Sequence, residues 1–104
     1  MKAWEVWTWE GHPCLLISNQ RRLDRKAKVV VLKGQTLYSG DPAPTELEAL
    51  LDVEDRMDRR TVFTCDLLYT APKAGISQKR GEVVYERRRD ISRKILQGLA
   101  LAGL

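Results

Sequence analysis

Three groups of residues in this chain carry side chains suited to chemistry or to ligand binding. The first is the segment Asn19 to Lys28 (NQRRLDRKAK), which holds Arg21, Arg22, Arg25, Lys26 and Lys28. Cations at this density suit the phosphates of a nucleic acid, although a solvated loop would present the same residues. The second is the pair Trp7 and Trp9, whose rings could stack on unpaired bases. Core filling is the stronger expectation for both, because tryptophan buries much apolar area. The third is the single histidine, His12, placed beside Pro13. An imidazole can give or take a proton near neutral pH and can also bind phosphate.

Other chemistries find little support. Cys14 and Cys65 are far apart, lack a CxxC pairing and sit inside apolar runs, which predicts buried reduced thiols. One histidine with no Cys/His cluster gives no expectation of a zinc site, and no cofactor is expected. The chain of 104 residues predicts a single domain over 1–104, and an apolar fraction of 43% argues for a folded core. Its net charge of +4 fits an anionic partner and fits simple solubility equally well. The start, Met1-Lys2-Ala3-Trp4-Glu5, has no apolar signal region, and no apolar run approaches the roughly 20 residues that cross a bilayer. A cytoplasmic protein without membrane association is the expectation.

The elements that must position these residues are mostly strands. Trp4 to Trp9 alternates, with Trp4, Val6 and Thr8 on one face and Glu5, Trp7 and Trp9 on the other. Glu10 to Pro13 reads as a turn, and Cys14 to Ser18 as a short buried strand. After the polar loop of residues 19–28, Val29 to Leu32 is a β-branched strand, with a bend suggested by Gly34. Ser39 to Pro44 is turn chemistry. The next segment is ambiguous: Thr45 and Glu48 form a capping-box pattern, yet Leu47, Ala49 and Leu51 alternate as in a strand. Thr61 to Thr70 is the clearest strand, with Phe63, Cys65, Leu67 and Tyr69 on one face. Lys73 to Arg80 reads as a polar loop and Glu82 to Val84 as a short strand. The final element is a basic helix from about Glu86 to Leu101. Its apolar stripe is Ile91, Ile95, Leu96 and Leu99, with an Asp90–Lys94 pair on the other side and a stop at Gly103. The fold class expected is α+β and β-rich: a small barrel-like sheet closed by a C-terminal helix.

The order of these motifs resembles the MazF/PemK toxin family. Glu5-Val6-Trp7 followed by His12-Pro13-Cys14-Leu15-Leu16-Ile17-Ser18 is similar to that family's opening pair of strands. Thr61-Val62-Phe63-Thr64-Cys65-Asp66 is similar to its Ser/Thr-Val, two residues, Cys-Asp/Glu strand. Lys79-Arg80-Gly81-Glu82-Val83 resembles the step before its terminal helix. The resemblance covers nearly the whole chain in one order. It implies an SH3-like barrel, usually a homodimer, that cleaves single-stranded RNA without metal and is restrained by an antitoxin protein. It also implies that residues 48–52 form a strand, which settles the ambiguous segment.

RNA cleavage of this kind needs a base for the 2′-OH, an acid for the departing 5′-oxygen and a donor or cation for the charged phosphorane. The family places an arginine before the proline of the second strand and a threonine in a Pro-x-Thr context after the third. In this sequence those positions fall on His12 and, nearest, Thr36, which the resemblance therefore nominates as catalytic. Arg21, Arg22, Arg25 and Lys26 of the loop, with Lys33 and Gln35 beside Thr36, are the candidate RNA contacts. The Arg87-Arg88-Arg89 run reads as a solvated helix face, with an acidic antitoxin segment as the alternative. Because His12 replaces arginine and the Pro-x-Thr step reads Leu32-Lys33-Gly34-Gln35-Thr36, a second function stays open. It is a barrel of the same fold that binds RNA or an antitoxin-like protein without cutting. A gyrase poison resembling CcdB is disfavoured, since the terminal Ala102-Gly103-Leu104 lacks the tryptophan that activity depends on.

Overall fold

The structure is a computed structural model and describes residues 1–100. Six antiparallel strands run in chain order as β1 (Glu5–Trp9), β2 (His12–Leu16), β3 (Lys28–Thr36), β4 (Glu48–Leu51), β5 (Thr61–Pro72) and β6 (Ile76–Glu82). Two helices accompany them, α1 (Gln20–Arg25) and α2 (Tyr85–Gly98). The strands lie side by side as β4-β5-β3-β2-β1-β6, so the expected α+β, β-rich architecture is present. Among the described residues no ladder joins the outer strands β4 and β6. Instead the chain just beyond β4 packs on β6: a Cβ on Gly81 would lie 2.6 Å from the Asp55 carbonyl oxygen and from the Met57 sulfur. The sheet is therefore strongly curled.

Both sheet faces are covered, which explains why β2 reads as a continuous apolar run. Leu15 belongs to one core cluster with Val6, Leu32, Phe63, Val83 and the α2 residue Ile91. Its neighbours Cys14 and Leu16 belong to a second cluster with Val29, Val31, Ile76 and the α1 residue Leu23. Each helix thus seals one cluster. Both cysteines are buried and unpaired.

Several expectations need correction. The polar loop before β3 contains α1, started by Asn19, whose side chain accepts a hydrogen bond from the Arg22 N–H (2.9 Å). A six-residue helix with one buried apolar side chain is too short to show a period. The loop expected over Lys73 to Arg80 is a 3₁₀ turn, Lys73–Gly75, followed by β6. This outer strand buries only Ile76 and Gly81, and the polarity of such an edge concealed it. The strand expected at residues 48–52 is β4, while the Thr45/Glu48 pair forms only a turn, with Thr45 N–H donating to Glu48 Oε1 (2.9 Å). The helix α2 ends at Gly98, followed by an extended Leu99, and the expected end at Leu101 lies outside the described residues. Gly98 itself lies directly on Asp66 of β5, where any side chain would collide. Leu96 of the expected stripe is exposed, whereas Ile91 is buried and Ile95 packs on the core. The Gly103 stop lies outside the described residues.

The bend suggested at Gly34 is a change of register: β3 pairs Leu32 with Leu68 but Gly34 with Phe63. The excess β5 residues bulge outward, so Leu67 is half exposed instead of sharing the Phe63 face.

Candidate functional site

The hairpin joining β1 to β2 turns on Glu10 and Gly11, both at positive φ (51° and 75°), as a tight two-residue connection requires. It delivers His12 to the first position of β2, exposed and opposite Trp9. The β2–β3 ladder ends at the pair Cys14–Lys33, and beyond it His12 and Gln35, two residues further along their strands, line the same concavity. Thr36 ends β3, paired with Thr61. These residues border one shallow concavity of about 380 Å³, lined by Gly11, His12, Pro13, Gln35, Thr36, Tyr38, Asp41 and Arg80. Gln35, Thr36 and Asp41 also line an adjoining groove of about 410 Å³ that continues past Pro42 and Pro44 toward β4 and β5. The loop forming the wall is held by Asp41, which accepts from the Tyr38 N–H (2.7 Å) and returns its own N–H to the Tyr38 carbonyl (3.0 Å).

Three of the residues nominated from sequence, His12, Gln35 and Thr36, therefore meet. A fourth residue, Arg80, joins them from a segment whose polar sequence predicts a loop. Arg80 reaches the concavity because β6 pairs with β1, which in turn carries the hairpin. No local pattern marks that non-local pairing. A guanidinium is thus present where the family-like motif lacks one before Pro13, contributed by a different strand.

The Lys33 ammonium is already engaged by protein groups in this arrangement. It pairs with Glu10 (3.1 Å) and lies 4.7 Å from the Trp9 ring centre and 4.5 Å from that of Tyr69. Those rings themselves meet edge to face at 6.1 Å. Trp7 and Trp9 pack against the second core cluster, in line with core filling, and the Trp7 indole N–H donates to Glu5 (3.1 Å). Arg21, Arg22, Arg25 and Lys26 stand elsewhere. They lie on or just after α1 at the Lys28 end of β3, which by strand rise is roughly 26 Å from the Thr36 end.

The concavity offers an imidazole, a hydroxyl, a carboxamide, a guanidinium and a carboxylate. That set can exchange a proton and hold an oxyanion. Cys14, two residues from His12, adds no nucleophile: burial pushes its thiol up to about 11. Among the described residues no cluster of three or more His, Cys, Asp or Glu side chains could hold a metal ion, and no helix is long and apolar enough to cross a membrane.

No family model matches the chain, and no curated protein matches it by sequence. Solved structures do. An endoribonuclease from a mycobacterial species superposes with a TM-score of 0.84 at 19% identity, covering 98% of this chain and 93% of that one. Toxin MazF-mt6 of Mycobacterium tuberculosis gives 0.77 at 15% identity, over 90% and 94% of the two chains. The MazE–MazF structure from Deinococcus radiodurans gives 0.76 at 12% identity, over 98% of each. The fold of this chain is that of the MazF toxins.

Proposed function

We propose that this chain is a MazF/PemK-like toxin that cleaves single-stranded RNA without a metal ion. The observation that carries the reading is the convergence of His12, Gln35, Thr36 and Arg80 on one concavity of a MazF fold. The 2′-oxygen of a bound ribose attacks the adjacent phosphorus, and the bond to the 5′-oxygen of the next nucleotide breaks. A 2′,3′-cyclic phosphate and a free 5′-hydroxyl result. His12 moves the proton in both directions, taking it from the 2′-OH as base and then, as imidazolium, giving it to the departing 5′-oxygen. Arg80, the Thr36 hydroxyl and the Gln35 amide hold the non-bridging oxygens as negative charge grows on them.

The same reading makes the curled sheet an SH3-like barrel and the protein a cytoplasmic homodimer with an antitoxin protein as partner. Two similar structures are of an endoribonuclease in complex with its cognate antitoxin and of MazE–MazF, which supports the last point. A second reading, a barrel of this fold that binds RNA or an antitoxin-like protein without cutting, is favoured by one observation. The His12 ring is exposed and, among the described residues, no hydrogen bond orients it as a catalytic base is usually oriented.

Incubating the purified protein with a long single-stranded RNA in EDTA separates the two. Discrete fragments ending in cyclic phosphate, lost on His12→Ala or Thr36→Ala, support the nuclease. Intact RNA at high protein concentration supports the binding barrel. A mass measurement in solution tests the dimer.

A further inference from the structure

The net charge of the chain is not spread over its surface. Of eighteen cationic and fourteen acidic side chains, five cations and one acid lie within residues 19–28, and the remaining residues hold thirteen of each. The whole excess of +4 therefore sits on α1 and its flanks. Elsewhere the cations are often neutralised: Lys33, Lys79, Arg87, Arg88, Arg93 and Lys94 all pair with carboxylates. Among the described residues no ion pair engages Arg21, Arg22, Arg25, Lys26 or Lys28. The one acid of the segment, Asp24, accepts instead from the Gln20 amide (2.9 Å). A further cation arrives from a distant part of the chain, since the Lys73 ammonium donates to the Leu23 carbonyl at the end of α1 (2.6 Å). The Arg22 guanidinium is steadied by its hydrogen bond to the Lys28 carbonyl (3.0 Å).

We infer that α1 carries a second RNA-backbone site, separate from the cleft at His12, that grips the phosphates of a strand reaching from one site to the other. This inference rests on the reading of the cleft as an RNA site. Leu23, the apolar residue of α1, is buried, so the helix turns only polar and charged groups outward. A protein partner or a lipid surface would want an apolar anchor there, whereas a polyanion needs none. The separation of roughly 26 Å along β3 means that a short oligonucleotide in the cleft cannot touch α1.

The test measures binding of 2′-O-methyl RNA, which cannot be cut, at several salt concentrations. Two lengths are compared, about four nucleotides and about 20. The longer RNA should show the steeper salt dependence. Neutralising three groups together (Arg21→Gln, Arg25→Gln, Lys26→Gln) should lower its log–log slope by about 2, at roughly 0.7 per lost phosphate contact. Binding of the short RNA should stay as it was. A control with equal charge loss elsewhere (Arg59→Gln, Arg89→Gln, Arg93→Gln) should keep the steep slope. An unchanged slope in the α1 variant, an equal fall in the control, or tighter α1-dependent binding of polyglutamate than of RNA each overturns the inference. Cleavage of unmodified RNA is read separately. Patch-dependent binding without cleavage removes the nuclease reading and leaves the second site standing. Cleavage with no effect of the α1 changes on binding does the reverse.

Discussion

Arg87 on α2 lies 2.6 Å from Asp55, a carboxylate with no exposed side-chain surface, in the turn that follows β4. Asp55 also accepts from the N–H groups of Val84 (2.9 Å) and Asp52 (3.2 Å), so both of its oxygens are engaged. One buried charge thereby fastens the start of the terminal helix to the far edge of the sheet. Replacing Asp55 with Ala should destabilise the fold by about 3–5 kcal/mol, because Arg87 and two N–H groups lose their shared partner. Urea denaturation measures this, and a change under 1 kcal/mol would show that the contact is dispensable.

Acid should loosen the same junction. Hydrogen bonds from Arg87 and from the Glu54 N–H hold the Asp52 carboxyl below its usual range. Glu5 is pushed up by burial, but hydrogen bonds from Lys79, the Lys2 N–H and Trp7 outweigh that and leave it low as well. A carboxyl whose folded value is depressed contributes stability that is complete above its unfolded value and fades as pH falls through the folded one. Stability should thus hold above about pH 5 and decline below about pH 4. Lys79 and Arg87 are raised and titrate far above this window. The urea midpoint followed from pH 6 to pH 3 checks the trend, and Asp52→Asn should flatten it.

Gly34 has no room for a side chain, since a Cβ there would lie 2.7 Å from the Phe63 ring. Phe63 is fully buried and fixed by β4 and β3 on either side, so the ring has little freedom to yield. Gly34→Ala should therefore cost about 1–3 kcal/mol by overpacking. It should also disturb Gln35 and Thr36, one and two residues further along. A fall in both thermal midpoint and RNA binding is the expected pair of outcomes. A variant as stable as the parent would mean that Phe63 repacks.

Lys33 gives the sharpest test of a site residue nominated from sequence alone. Its ammonium sits against Trp9, Tyr69 and Glu10. Lys33→Met should lower stability by about 1 kcal/mol through loss of the cation–ring contacts. The salt slope of RNA binding should not change. A slope that falls by about 0.7 would restore Lys33 as a phosphate contact.

What could be read in advance follows the range of the forces involved. β1, β2 and the first half of β5 announce themselves because neighbouring residues alternate or run apolar, and their faces are set locally. Residues 45–51 carry a genuine local turn signal, the Thr45–Glu48 pair, but pairing with β5 decides the outcome. Strand β6 and helix α1 were invisible for opposite reasons. The first is an edge with few buried side chains, and the second is too short for its single apolar residue, Leu23, to form a pattern. The site divides in the same way. His12, Gln35 and Thr36 are near a strand end or a turn that the sequence marks. Arg80 joins them only because the chain returns from β6 to lie beside β1, and the α1 cations leave them because β3 is nine residues long.

That return of Arg80 leads to the most direct prediction about catalysis. If Arg80 holds the phosphorane oxygens while His12 moves the proton, the two substitutions should fail differently. His12→Ala removes proton transfer and should slow cleavage by about 10²–10⁴-fold, with RNA affinity little altered. Arg80→Gln keeps a donor of similar reach but loses the charge, and should slow cleavage by about 10²–10³-fold. Some affinity should go with it, because the same guanidinium meets the phosphate before reaction. The double variant should be no worse than the poorer single one by more than a small factor, as expected of groups acting on one transition state. Single-turnover cleavage of a defined RNA, with binding measured on its 2′-O-methyl form, provides both quantities. If Arg80→Gln cuts at the parental rate, β6 plays no part in the chemistry and the site reduces to His12, Gln35 and Thr36.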